Sequence, residues 1–430
     1  MTTTVGRGLA PVREVLQNGA VIIAKESRST PSVTIHAAFE AGVIYDPPAL
    51  RGVAHLVARM IDRGTATRSA EQIADELDNR GVALNVTVNR HVISLVCTCL
   101  RDDFDAMLAL VADMAMHPTF PDDQLASRRS EAITSLRQDE DSPAHMAVEG
   151  LMRLLYPGHP YGTRPRGTVE SVEQIERSAL VAFHAERFRP GTLSLAIVGD
   201  VAPAQAIAAA SRAFGEWRMP AAAEIVLPPV TSAVTGAVTR QRLVLPMMNK
   251  SQADVAYGFV TVLRDDPAYH AYQVMNNVLG QYSLGGRLAD SIRERQGMAY
   301  YCFSTLDANK IPGPLSIRAG VNPANVERAI ASIDAEVENM AAEGPTEKEV
   351  RESKQYIIGS MPLTLETNTG IATFLQTAEF FELGLDYDLR LPALIDAVTR
   401  DAAHDAARRV LAASKAAVVV AGPYDPGAAP

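Results

Sequence analysis

The sequence has little cysteine and no long apolar run. Among its 430 residues are only Cys97, Cys99 and Cys302, which are too few and too poorly spaced for a disulfide framework, so we interpret them as buried apolar residues. No stretch of about 18 apolar residues could span a membrane, and the N-terminus has no signal-peptide core. These absences predict a cytoplasmic protein that does not contact membranes.

An excess of positive charge is also missing. The chain carries 40 Lys and Arg against 50 Asp and Glu, a net charge of −10, so it has no basic surplus to neutralise nucleic-acid phosphates. We therefore exclude nucleic acid as the main partner. With 47% hydrophobic and 21% charged residues, the composition is that of a globular protein, and 430 residues are enough for two domains.

The two halves of the chain have a similar plan. Two predicted strands open the first half at 20–27 and 32–42, and two more open the second half at 240–247 and 253–262. Each half closes with a helix followed by a strand. The offset is about 220 residues at both ends, which favours a duplicated unit.

This duplication predicts an N-terminal domain over 1–216 and a C-terminal domain over 239–430. The segment 217–238 contains three prolines that exclude a regular helix, so we interpret it as an extended linker. Strand pairs joined by short turns alternate irregularly with helices, which favours the α+β class. We expect each domain to be a mostly antiparallel sheet with helices packed on it, and the two together to form one half of a clamshell.

A degenerate metal-binding motif lies in the segment GVAHLVARMIDRGT, residues 52–65. An inverted zinc-peptidase motif reads H-x-x-E-H on one helix, so that two histidines one turn apart bind the metal and the glutamate acts as a base. Here His55 is present, Ala58 replaces the glutamate, and Arg59 replaces the second histidine. Arginine has no lone pair to offer a metal. We expect Arg59 to occupy part of the former metal position and to pair either with a carboxylate or with backbone neighbours of His55.

The segment resembles the pitrilysin (insulinase) family of zinc peptidases. The flanking residues that match are Gly52, Ala54, His55, Met60, Gly64 and Thr65. The segments 128–143, 159–175 and 188–201 also resemble the family, and the family's third ligand, a glutamate, falls on Ser135. The resemblance implies that the chain descends from zinc peptidases but holds no metal of its own, with His55 a structural histidine.

A second pattern of the family is intact in the second half. The segment GGRLADSIRERQGMAYYCFST (285–305) predicts a helix over Leu288–Arg295 and a strand from Met298. In the family, an Arg and a Tyr at this spacing bind substrate and stabilise the oxyanion, and here they are Arg293 and Tyr300. The resemblance also places Asn85 on an edge strand beside which a peptide can add.

These patterns together predict the non-catalytic subunit of a heterodimeric zinc metallopeptidase, which is not an enzyme alone. The zinc would be bound by a homologous partner of similar size, and the substrate would be a peptide enclosed in a shared chamber whose wall this chain helps to form. Other interpretations remain open. The chain could be a structural homodimer like the peptidase-derived core proteins of respiratory complexes, or a peptide-binding protein. A peptidase with substituted ligands is disfavoured by Arg59.

Overall fold

The computed structural model describes residues 8–220, 227–231, 239–281, 286–425 and 427. These residues form two sheets, of six and five strands, each with helices packed against it. The predicted α+β class is therefore confirmed. Within the described ranges, no helix is both long enough and apolar enough to cross a bilayer.

All the strands of the first sheet come from the first half of the chain. Its strands are β1 (Val12–Val15), β2 (Val21–Glu26), β3 (Ser32–Phe39), β4 (Ala83–Val88), β5 (Ile93–Leu100) and β6 (Leu193–Gly199). They are ordered β1-β2-β6-β3-β5-β4, and only the β2–β6 pair is parallel. Strands β4 and β5 pair antiparallel, and β4 stands last in the order.

The second sheet repeats this topology. Its strands are β7 (Gln241–Pro246), β8 (Ala253–Val260), β9 (Ala299–Leu306), β10 (Pro314–Val321) and β11 (Ala417–Gly422). They are ordered β7-β11-β8-β10-β9, with β7 and β11 parallel and the other pairs antiparallel. Without β1, the first sheet has the same order and the same single parallel pair, so the duplication predicted from the repeated pattern is present in the fold.

The helices flank these sheets. They are α1 (Val53–Met60), α2 (Ala70–Asp78), α3 (Phe104–Met116), α4 (Asp122–Glu140), α5 (Pro143–Leu155), α6 (Val169–Glu173), α7 (Arg177–Arg187), α8 (Pro203–Phe214), α9 (Tyr269–Asn276), α10 (Val326–Ala342), α11 (Glu347–Thr364), α12 (Asn368–Phe380), α13 (Tyr387–Asp396) and α14 (Arg400–Val410). Two π-helical segments, Asn277–Gln281 and Ala289–Arg295, lie between α9 and β9. The capping box at the start of α2 forms as its sequence indicates, because Ser69 and Gln72 bond reciprocally.

The compact units of the chain differ from a simple division into halves. The first unit comprises the described residues of Met1–Leu136, Arg164–Val226 and Met361–Leu389, and the second those of Arg137–Thr163, Leu227–Ser360 and Arg390–Pro430. The predicted domains 1–216 and 239–430 thus need correction, because 137–163 belongs to the second unit and 361–389 to the first. Much of the predicted linker 217–238 lies outside the described residues.

Each unit thus takes a helical segment from the other half of the chain. The physical reason for this helix exchange is that the central strands are buried on both faces. Every residue of β8 and β11 is buried, so each strand needs a cover on its second face. Helix α5 supplies that cover in the second unit by packing on both strands, and α12 packs on β3 and β6 in the first. At Gly150 of α5, an added Cβ would lie 2.9 Å from Cγ1 of Val419, so the helix approaches the sheet closely.

Candidate functional site

Helix α1, which carries the degenerate motif, is held at its N-terminus by Asp46. The carboxylate of Asp46 is buried and accepts hydrogen bonds from the amides of Gly52 (2.6 Å) and Ala54 (2.9 Å). These are donors that the first turn of a helix leaves without partners. Gly52 has φ +99°, and a Cβ there would lie 2.5 Å from the carbonyl oxygen of Arg166. A glycine is required here for both reasons.

The motif positions on α1 differ in exposure. Ala58 is buried in the core, whereas the side chain of Arg59 is 42% exposed. Nη2 of Arg59 lies 2.8 Å from Oε2 of Glu131 on α4, and Nη1 of Arg128 lies 2.6 Å from the same oxygen. Arg59 thus pairs with a carboxylate, and that carboxylate is shared by two guanidinium groups.

Ser135 stands on α4, one turn after Glu131. Its hydroxyl accepts a hydrogen bond of 2.6 Å from Nη1 of Arg166, which precedes α6. A neutral hydroxyl at this position brings no negative charge, whereas the glutamate implied by the family resemblance would bring one.

The electrostatics around His55 are unfavourable to a cation. Burial, together with the positive charges of Arg59 and Arg166, lowers the pKa of its imidazole to about 4. Zinc prefers imidazole, thiolate and carboxylate ligands, and the residues at the motif positions supply one imidazole, a guanidinium and a hydroxyl. They do not fit a zinc ion. Across the part of the chain that the structure describes, no group of three or more His, Cys, Asp or Glu residues is arranged to hold a metal.

Arg293 lies in the second unit, in the π-helical segment Ala289–Arg295 where the sequence predicts a helix. Its side chain is 28% exposed and forms an ion pair of 2.6 Å with its neighbour Glu294. Burial raises the pKa of the Cys302 thiol to about 12, and the positive charge of Arg293 opposes that shift. Arg293 is therefore close to β9 and retains guanidinium surface that solvent can reach.

Tyr300 is the extra residue of a β-bulge. Gly320 of β10 pairs with Tyr301, but the next residue, Val321, pairs with Ala299, so Tyr300 has no partner across the strands. A bulge of this kind redirects the side chain of the extra residue. The phenol is 85% exposed, on the strand at the end of the second sheet.

Asn85 occupies the corresponding strand of the first sheet. It is exposed on β4, the last strand in the order of that sheet, and its Cα partner on β5 is Val96. The other long edge of β4 makes no strand pairing among the described residues. Main-chain hydrogen-bonding groups on that side are available to an added strand.

The motif positions fall into two groups, one in each unit. His55, Arg59 and Ser135 lie on α1 and α4 in the first unit, and Arg293 and Tyr300 flank the start of β9 in the second. Sequence reasoning missed Asp46, Glu131 and Arg166. Arg166 stands in a segment that already resembled the family, which was a usable signal. Glu131 likewise stands in a resembling segment, 128–143, but nothing local indicated its pairing with Arg59, which is 72 residues away in sequence.

Comparison with protein families gives two matches. A model described as insulinase (peptidase family M16) matches residues 21–168, and one described as peptidase M16 inactive domain matches residues 174–357. The two matches are consecutive along the chain and together span most of it.

Individual relatives match most of the length of this chain. The chain is 25% identical over 355 residues to the uncharacterized zinc protease YmxG of Bacillus subtilis, covering 83% of this chain and 84% of that protein. It is 24% identical over 377 residues to the non-peptidase homolog YmxG of Helicobacter pylori, covering 87% and 84%. The crystal structure of a peptidase M16 inactive domain from Pseudomonas fluorescens superposes with a TM-score of 0.89 at 25% identity, covering 96% of this chain and 98% of that one.

Proposed function

Because the chain belongs to the insulinase (M16) peptidase family and its own metal positions do not fit zinc, we propose that it is the non-catalytic subunit of a heterodimeric zinc metallopeptidase. The partner is a homologous chain of similar size that binds the zinc. The substrate is a peptide, and this chain forms part of the wall of the chamber that encloses it.

One contrast between the two groups of residues carries this proposal. In the first unit, the ligand position at Arg59 is occupied by a guanidinium that is paired with Glu131. In the second unit, a bulge leaves the phenol of Tyr300 almost fully exposed. An aromatic side chain exposed in this way is available to a group outside its own chain, and tyrosine is enriched among the residues that dominate binding at interfaces.

The chemistry of Arg293 and Tyr300 suits support of a reaction at another chain's centre. A guanidinium donates paired hydrogen bonds to a carbonyl or carboxylate oxygen of a peptide. A phenol donates one hydrogen bond where negative charge develops on the carbonyl oxygen in the transition state. The edge of β4 that pairs with no other strand among the described residues, with Asn85, offers a further place for the peptide backbone to add as a strand.

The experiment is to mix this chain with the zinc-bearing homologue from the same organism and to measure cleavage of a fluorogenic peptide. We expect turnover only in the mixture. Tyr300→Phe should lower kcat by about 100-fold, the usual effect of losing one oxyanion donor, and Arg293→Ala should raise KM by about 10-fold. Neither variant should weaken the complex on a sizing column.

Tyr356→Phe is the matched control, since Tyr356 is another exposed tyrosine of the second unit. Its turnover should equal that of the unmodified complex. Chelator-sensitive cleavage by this chain alone, or full activity of both site variants in the mixture, would contradict the proposal. A stable homodimer that ignores the homologue would favour the structural or peptide-binding alternative.

A further inference from the structure

Among the positions that would hold zinc in the family, Arg59 carries positive charge in this chain, and the guanidinium groups of Arg128 and Arg166 bond to residues of the same helix, α4. Arg59 follows His55 by one helical turn, and Arg128 and Arg59 both bond the same oxygen of Glu131. One carboxylate is thus shared by two guanidinium groups, and hydrogen bonding by Arg128, followed by that of Arg59, lowers the pKa of Glu131. The cluster therefore keeps a net positive charge.

A third guanidinium, that of Arg166, also acts on His55. Arg166 bonds the neutral hydroxyl of Ser135, and its charge acts on the imidazole of His55 together with that of Arg59. In the part of the chain that the structure describes, the imidazole of His55 has no hydrogen-bond partner. The ring is not fully buried, so an N–H donor remains available beside the two guanidinium groups.

Glu131 shows which ligand these groups select. Its carboxylate is held at 2.8 Å by Arg59 and at 2.6 Å by Arg128, distances typical of charge-assisted hydrogen bonds. The Glu131 side chain is 44% exposed, and exposed ion pairs contribute little free energy, so displacing Glu131 from the guanidinium groups costs little. Glu131 thus acts as an internal carboxylate in a place that a carboxylate from solution could take.

We propose that the former metal position of this chain is a carboxylate-binding site, formed by Arg59, Arg166 and His55 and occupied in part by Glu131. Its ligand is the terminal carboxylate of a peptide or a small free carboxylate. The site lies within the first unit, so it does not depend on the partner subunit proposed above, and each of the two proposals can fail without the other.

The test uses the full chain alone at pH 7.5. N-acetyl-Ala-Ala-Ala, its C-terminal amide and sodium acetate are titrated while the imidazole resonances of His55 are followed by NMR. We expect the free-acid peptide to bind with a Kd about 10-fold lower than the amide, because only the acid offers a charged partner to the guanidinium groups. Acetate binding as tightly as the acid peptide would support the site and assign its ligand as a small free carboxylate.

Two variants should change the affinity in opposite directions. Arg59→Gln should raise the Kd of the free-acid peptide about 10-fold, and Glu131→Gln should lower it several-fold by removing the internal competitor. Arg28→Gln is the matched control, because Arg28 also forms an exposed pair, with Glu26 at 2.6 Å, and should leave the Kd unchanged.

A purely structural role for the cluster predicts different results. Equal affinities for the acid and the amide, or no response of His55 to any of the three probes, would overturn the proposal. So would a Kd that is the same in Arg59→Gln, Glu131→Gln and the unmodified chain. If Arg59→Gln does not fold, Arg59→Lys keeps the charge but loses the paired geometry, and its Kd should lie above that of the unmodified chain.

Discussion

Arg59 on α1 and Glu131 on α4 form a salt bridge in which Nη2 lies 2.8 Å from Oε2. The bridge joins the helix of the degenerate motif to the helix that carries Ser135. It puts a paired guanidinium where the family has an imidazole with a lone pair for zinc. Three substitutions separate this chain from the family pattern. Ala58 and Arg59 lie on α1, and Ser135 lies on α4.

Restoring those three positions should create a zinc site. The variant Ala58→Glu/Arg59→His/Ser135→Glu supplies a second imidazole and a carboxylate beside His55, and we expect about one zinc per chain after dialysis, measured by atomic emission. The single variant Arg59→His should bind much more weakly. Tightly held zinc in the unmodified chain, or none in the folded triple variant, would contradict our assignment of the positions.

The anchor of α1 predicts a loss of stability. Asp46→Ala removes the acceptor for the amides of Gly52 and Ala54 and leaves two buried donors without partners. We expect the free energy of unfolding in urea to fall by about 1–3 kcal/mol. Asp102→Ala, at an exposed carboxylate that contacts its neighbour Arg101, should stay within about 0.5 kcal/mol of the unmodified chain.

Burial of His36 predicts a pH dependence. Burial lowers the pKa of His36 to about 4 from an ordinary value of 6.5, and neither ring nitrogen has a hydrogen-bond partner among the described residues. Between pH 6.5 and 4 the unfolded chain binds a proton that the folded chain does not. The free energy of unfolding is therefore undiminished by His36 above pH 6.5. It falls as the pH drops from 6.5 towards 4, by roughly 3 kcal/mol in all.

Urea unfolding at pH 7 and pH 4.5 measures this effect. The variant His36→Leu keeps a side chain of similar volume and removes the titrating group, so its free energy of unfolding should fall less between the two pH values. Equal decreases in the variant and the unmodified chain would show that His36 is not a source of the acid sensitivity.

The packing of α5 on the second sheet predicts opposite effects for two helical glycines. Gly359 in α11 has open space around its Cβ position, so Gly359→Ala should raise the free energy of unfolding by about 1 kcal/mol through helix propensity. At Gly150, the same change places a methyl group 2.9 Å from Val419 and 3.4 Å from Leu243. The cost of overpacking should exceed the gain in helix propensity, so Gly150→Ala should lower the free energy of unfolding by about 1 kcal/mol. An increase at both positions would show that α5 can move away from the sheet without cost.

Much of the fold could be predicted from the sequence because its signals are local. Alternating apolar residues in Ala83–Val88 indicate the strand, Ser69 and Gln72 indicate the start of α2, and the repeated strands indicate the duplication. The exchange of α5 and α12 could not be predicted, since an apolar helix face does not reveal which sheet it covers.

In the candidate site too, local features could be predicted from the sequence and contacts between distant segments could not. The residues of the degenerate motif are visible in the sequence, because their spacing is fixed by one helix. The pairing of Arg59 with Glu131 depends on how α1 and α4 meet in space. The bulge at Tyr300 is a shift of one residue in the pairing of β9 with β10, which leaves no mark in the apolar pattern.

The helix exchange also affects how the protein folds during its synthesis. Helix α12, which covers β3 and β6, is residues Asn368–Phe380 of a 430-residue chain, so the ribosome releases it late in synthesis. Until then the nascent first sheet presents the apolar side chains of Ile23, Ala196 and Val198 without their cover. The part of the protein that is translated first is thus among the last to be completed, and its nascent form is a natural client for a chaperone.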